Sequence, residues 1–170
     1  MTTLSAPSIK LADEVWLAVA MLHMDRPEDE DFSIEEIMEF AKTADRLRFL
    51  GPLRPGFYAH VVQHCVANRP PSPARYRLLF ETKPGRRRLF RPGDAYHAER
   101  ASGKSVPKPF DDFPDYWFNG ALNWYGEWSQ KKKEERIKND PLLALYGSGK
   151  DLWADEHADD YIRRLREGWE

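Results

Sequence analysis

Apolar residues recur every three to four positions near the start of the chain, which predicts an amphipathic helix from Ser8 to Met24. A second, shorter helix is predicted to begin at Ser33. The pattern Ser-Ile-Glu-Glu is typical of a capping box, in which the side chain of Glu36 bonds back to the serine amide. Both helices belong to the acidic first part of the chain.

A third helix is predicted to follow the stretch 45–56, where glycines and prolines indicate a turn, and to end before Pro70. Its expected apolar side holds Tyr58, Val61, Val62 and Cys65, with His60, Gln63, His64 and Ala67 pointing outward. Two short β-like runs follow, at 76–80 and 88–90. The turn-forming Lys-Pro-Gly-Arg between them predicts a hairpin.

The order helix, helix, turn, helix, hairpin resembles a winged helix-turn-helix over residues 1–94. We therefore expect a mainly α fold with a small β-hairpin wing and a C-terminal helical extension. Beyond it we predict a linker at 95–112, an aromatic-rich helix at 113–138 and a C-terminal segment at 139–170. One side of the aromatic helix carries Trp117, Ala121, Trp124, Tyr125 and Trp128. This side is expected either to pack on its own domain or to form a homodimer.

Charge is distributed unevenly along the chain. Residues 1–45 hold 11 acidic and 3 basic side chains, residues 46–110 hold 3 acidic and 14 basic ones, and residues 111–170 hold 14 acidic and 9 basic ones. A basic block between acidic ones indicates a polyanionic partner. The alternative is a solvated basic surface that balances the acidic flanks.

The winged-helix resemblance implies binding of double-stranded DNA through the third helix and the hairpin. Histidine, glutamine and asparagine can bond to base edges in the major groove, and arginine and lysine can bond to phosphates. The candidate DNA-binding residues are Arg46, Arg48 and Arg54 in the turn, His60, Gln63, His64 and Asn68 on the helix, and Lys83, Arg86, Arg87 and Arg88 on the hairpin.

The last thirty residues resemble a second family. Asp-Pro-Leu-Leu-Ala-Leu-Tyr-Gly-Ser-Gly-Lys from Asp140, and Asp-Tyr-Ile-Arg-Arg-Leu-Arg-Glu-Gly-Trp from Asp160, are similar to the C-terminal segment of antitoxins that neutralise PIN-domain nuclease toxins. The resemblance implies an operon-repressing N-terminal part and a toxin-binding segment. Its partner-binding residues would be Leu142, Leu145, Trp153, Tyr161, Ile162, Leu165 and Trp169. Its cations Lys150, Arg163, Arg164 and Arg166 would approach the nuclease carboxylates.

No catalytic constellation is recognisable in the sequence, and we expect neither an enzyme nor a cofactor. The helical pair His60 and His64 has zinc-ligand spacing but lacks a second ligand cluster, so no metal is expected. One cysteine and the lack of a long apolar run favour a cytoplasmic protein. The sequence thus predicts a DNA-binding transcriptional repressor and antitoxin. The alternatives are a protein-interaction adaptor built on a winged helix, or a DNA-associated accessory subunit of a restriction or phage-defence system.

Overall fold

The structure is a computed structural model that describes residues 9–44, 47, 51–108, 116–145, 163, 164 and 166, without the side chains of 116–119 and 144. The helices are α1 (Leu11–Asp25), α2 (Ile34–Thr43), α3 (Phe57–Ala59, continued by a π-helix at His60–His64), α4 (Tyr116–Asn139) and α5 (Pro141–Ala144). The strands are β1 (Phe32–Ser33), β2 (Leu79–Lys83) and β3 (Arg86–Leu89). The chain divides into two compact units, Met1–Ser129 and Gln130–Glu170. The mainly α fold with a small sheet is confirmed.

The three strands of the described residues form one antiparallel sheet in the order β1-β3-β2. The predicted hairpin is present, and Gly85 takes a positive φ of 77° in its turn. Both hairpin strands run up to this two-residue turn, so β2 ends at Lys83 and β3 begins at Arg86. Strand β2 also begins later than predicted, at Leu79. Strand β1 has only two residues, too few to give a pattern in the sequence.

Helix α1 lies in the middle of the first unit and is buried on all sides. Every residue from Ala12 to His23 is buried, including those between the expected apolar positions, such as Leu17 and Ala20. The prediction of an amphipathic helix is therefore wrong in this respect, since a helix covered all round needs apolar residues all round.

The predicted capping box begins helix α2. The hydroxyl of Ser33 accepts a hydrogen bond from the amide of Glu36 at 3.1 Å, and the Glu36 carboxylate accepts one from the amide of Ser33 at 2.8 Å. These two bonds satisfy two amides that a helix start otherwise leaves unpaired.

The segment predicted as a linker is part of the first unit over residues 95–108. The amide of His97 donates to the carbonyl of Ala67 at 2.8 Å, a 3₁₀ turn spans Ala98–Arg100, and Val106 packs against the core. The prediction of a linker is wrong over residues 95–108, because a composition rich in small and polar residues does not reveal backbone pairing.

The aromatic side of α4 packs on its own domain. Ala121 and Tyr125 are buried, Trp124 and Trp128 pack against the core, and the Tyr125 hydroxyl donates to the carbonyl of Phe90. These four residues thus pack within their own unit, as one of the two expectations has it, and the homodimer stays a prediction. The side chain of Trp117 lies outside the described residues.

Candidate nucleic-acid and protein interfaces

The third helix turns differently from the predicted one. The amide of Cys65 donates to the carbonyl of His60, five residues back, at 3.0 Å, which is the spacing of a π-turn. Phe57 faces the core in place of Tyr58, which is 59% exposed, and Ala67 is buried rather than outward. Cys65 is buried as predicted, and burial raises the pKa of its thiol.

Two histidines lie together on this helix. The rings of His60 and His64 have their centroids 4.9 Å apart, and both residues are half-buried. His60 donates from Nδ1 to the carbonyl of Gly56 at 3.0 Å. Burial is the main cause that lowers the pKa of His60 below its ordinary value, so its neutral form is favoured.

The two amide side chains predicted to read bases are bonded to backbone. Gln63 donates from Nε2 to the carbonyl of Pro70 at 2.5 Å. Asn68 donates to the carbonyl of Glu81 and accepts from its amide, both at 2.9 Å, so it continues the sheet beside β2. Either amide would have to leave these partners to bond with a base. Their role in DNA binding stays a prediction.

Arg87, predicted to contact phosphate, is fully buried. Its guanidinium donates to the carbonyls of Val61 at 3.1 Å and Val62 at 3.2 Å, and pairs with Glu81 at 2.5 Å. Burial lowers the pKa of this group despite the Glu81 carboxylate. The expectation of a phosphate contact is therefore wrong for Arg87, which instead connects the π-helix to the sheet.

Arg88, on the same strand, is also buried. It makes a bidentate pair with Asp94, at 2.6 and 2.9 Å, and its guanidinium lies 4.5 Å from the ring centre of Phe80. A guanidinium held on two sides in this way does not face solvent, so the predicted phosphate contact is wrong here too.

Arg100 was not among the predicted residues, yet it organises this region. The guanidinium is buried and donates to five carbonyl oxygens, those of Gln63, His64, Arg69, Pro70 and Tyr76, at 2.6 to 3.1 Å. Together with Arg87 it satisfies four consecutive carbonyls of the third helix, residues 61–64. No spacing in the sequence indicates such a role.

The remaining hairpin and turn cations are more accessible. Arg54 pairs with Glu14 at 2.5 Å, Arg86 pairs with Asp31, and Lys83 is exposed. The pairs of Arg54 and Arg86 join the basic block to the acidic N-terminal block. Arg46 and Arg48 lie outside the described residues.

The second unit presents apolar side chains to solvent at α5. The carboxylate of Asp140 accepts hydrogen bonds from the amides of Leu142 at 2.8 Å and Leu143 at 3.3 Å, which caps the helix. Leu142 is 79% exposed and Leu145 is 65% exposed. The other predicted partner-binding residues, Trp153, Tyr161, Ile162, Leu165 and Trp169, lie outside the described residues.

No family model, curated protein or solved structure matches this chain. Within the described residues, no helix is both long and apolar enough to cross a membrane. The same residues contain no group of three or more histidine, cysteine, aspartate or glutamate side chains arranged to hold a metal ion.

Proposed function

We propose that this protein is an antitoxin-type regulator whose C-terminal segment, residues 139–170, binds a partner protein. The observation that carries this proposal is the exposure of Leu142 and Leu145 on a capped helical turn. Covering such exposed leucines with an apolar groove stabilises the complex by about 25 cal/mol for each Å² removed from water. The Asp140 cap stabilises the turn before a partner arrives, which lowers the entropy cost of binding.

We propose a PIN-domain nuclease as the partner, because this segment resembles the C-terminal segment of antitoxins. Cations precede the leucines on the last turns of α4, where Lys133, Arg136 and Lys138 are all exposed. Apolar anchors next to positive charge suit a groove that is bordered by carboxylates, as the acidic site of a metal-dependent nuclease is.

Co-purification with a PIN-domain nuclease encoded beside this protein tests the proposal. The full chain should co-elute with the nuclease and block its cleavage of RNA. Replacing Leu142 and Leu145 by Ser should weaken inhibition by about tenfold or more, since buried apolar anchors dominate such interfaces. The matched control is Tyr58→Ser, which removes an exposed apolar side chain from the first unit. If the leucine variant inhibits as well as the parent, these leucines do not bind the nuclease.

DNA binding by the first unit is the second candidate function. The element order α1-β1-α2-α3-β2-β3, with strand order β1-β3-β2, supports the proposal of a winged helix over residues 1–94. The accessible candidates for contact are Lys83 and Arg86 on the hairpin, Arg54 in the turn, and His60 and His64 on the third helix.

Titration of a labelled duplex at several salt concentrations tests DNA binding. Affinity should fall steeply with salt, by about one power of the salt concentration for each phosphate contacted. Lys83→Ala should weaken binding to all sequences, whereas His60→Ala should change the sequence preference. A matched control is Lys10→Ala, which removes an exposed cation at the start of α1. If no duplex binds, the first unit is better explained as a protein-interaction module.

A further inference from the structure

Three consecutive carboxylates between α1 and β1 each pair with an arginine. Asp29 pairs with Arg26 at 2.5 Å, Glu30 with Arg91 at 2.6 Å, and Asp31 with Arg86. We call Asp29, Glu30 and Asp31 the acidic loop. Two of its three partners, Arg86 and Arg91, belong to strand β3 and the residues directly after it.

Asp31 makes the closest contacts with the hairpin. Its carboxylate accepts from the guanidinium of Arg86 and from the hydroxyl of Thr82 at 2.5 Å, and its carbonyl accepts a further bond from Arg86 at 3.0 Å. Burial opposes its ionisation, yet these hydrogen bonds and the charges of Arg86 and Lys83 hold the pKa of Asp31 below its ordinary value. Lys83 and Arg86 therefore lie within the electrostatic reach of one carboxylate.

The hairpin cations nevertheless remain open to solvent. The side chain of Arg86 is 40% exposed although it is paired, and Lys83 is exposed. A phosphate could approach Arg86 from the solvent side, but there Nε is bonded to the Asp31 carboxylate and Nη2 to the Asp31 carbonyl. Carboxylate and phosphate compete for the same guanidinium donors, because each is an anion whose two oxygens can accept both hydrogen bonds of the planar guanidinium fork.

We propose that the acidic loop is an autoinhibitory contact that competes with DNA phosphates for Arg86. This inference rests on the second candidate function, DNA binding by the first unit. Arg91 is 16% exposed and lies over the ring of Trp128, so it does not face a phosphate. A duplex must displace Asp31 from Arg86 before it can bind there. The displaced carboxylate and the neighbouring exposed Glu30 then face the phosphates and repel them, so the loop weakens binding twice.

The test is a full-length double variant, Glu30→Gln with Asp31→Asn, titrated against a labelled random-sequence duplex. The amides keep the size of the acids and one acceptor oxygen, replace the other oxygen by a donor NH2 group, and remove the charge. Affinity should rise by about tenfold over the parent, as expected for release of the partly exposed Asp31–Arg86 pair and removal of the Glu30 charge. The control is Glu28→Gln with Glu39→Gln, two exposed acids whose replacement changes net charge equally. Its gain should be clearly smaller, because only long-range charge changes.

Adding Arg86→Ala to the double variant should abolish most of the gain. In the double variant, the slope of log affinity against log salt concentration should also steepen, by about one for each arginine that newly contacts a phosphate. If the double variant loses its thermal transition, Glu30→Gln alone tests the repulsion by the loop, with a smaller gain expected, since Glu30 is more than half exposed.

The outcomes separate the two proposals. Parent binding with equal gains in the double variant and the control means that the loop does not compete, while DNA binding stands. A parent that binds no duplex while the double variant binds supports both proposals. If neither binds, DNA binding is wrong and the autoinhibitory contact is wrong with it.

Discussion

The two units use positive charge in different ways. In the first unit, Arg87, Arg88 and Arg100 are buried and bonded to carbonyls or carboxylates of the same unit. In the described part of the second unit, Arg136 and Lys138 are exposed beside exposed leucines. Part of the dense basic block in the sequence is thus internal structure, whereas the sparser basic residues of the second unit are at the surface. Net charge by itself does not locate an interface.

The largest expected effect comes from replacing Arg100 by Met. The change keeps the apolar stem of the side chain but removes the donor to five part-buried carbonyl oxygens, of which those of Gln63 and Pro70 keep another donor. We expect the free energy of unfolding to fall by about 4 kcal/mol, because each unpaired buried acceptor costs about 1 to 3 kcal/mol and some can relax. Urea unfolding followed by tryptophan fluorescence measures the change.

Arg75→Met is the matched control, since Arg75 is exposed on the loop before β2. It should leave the unfolding midpoint close to that of the parent. If the Arg100 variant is as stable as the control, the buried guanidinium does not stabilise the first unit. The contrast between the two units would then be wrong for Arg100.

Sequence reasoning recovered the features that depend on local patterns. The capping box at Ser33, the hairpin turn at Gly85 and the end of α4 near Asp140 each rest on a few neighbouring residues with fixed preferences. The π-turn was not predictable, because it depends on Arg87 and Arg100 bonding to carbonyls 25 to 37 residues away.

The candidate DNA-binding residues show the same limit. The sequence gives the charge of Arg54 and Arg86 but not the positions of Glu14 and Asp31, which lie 40 and 55 residues away along the chain. Whether an arginine is free for phosphate depends on such distant partners. Lys83, at the tip of the hairpin, was predictable as exposed because the turn alone determines its position.

An intermediate effect is expected when the same substitution, leucine to alanine, is made in each unit. Leu78→Ala in the first unit removes a fully buried side chain and should lower the free energy of unfolding by about 3 kcal/mol. Leu142→Ala in the second unit removes a mostly exposed one and should leave the unfolding curve of the isolated protein unchanged, while weakening partner binding. A destabilised Leu142 variant would show that this leucine packs within its own chain and would remove the main support for the proposed interface.

The smallest effect concerns pH and Glu36. Its pKa lies below the ordinary value of glutamate, chiefly because the amide of Ser33 donates to it and also because Arg26 pairs with it. Because the pKa is lower in the folded state, the ionised carboxylate stabilises the fold at any pH above the ordinary pKa of glutamate. This stabilisation disappears as pH falls through the folded-state pKa. Glu36→Gln should therefore be less stable than the parent at neutral pH, and the difference should shrink as pH falls through the folded-state pKa of Glu36.

Glu134→Gln, in the exposed part of α4, is the matched control for this pH series. It removes a carboxylate of the same type from the second unit, where we expect little contribution to folding, because exposed pairs within one helix are screened by solvent. Thermal melts between neutral pH and about pH 3 should show the parent's pH dependence retained in Glu134→Gln and reduced in Glu36→Gln. Parallel curves for the two variants would mean that the acidic residues of the first unit are no more strongly paired than those of the second, and the contrast in charge use would then rest on the buried arginines alone.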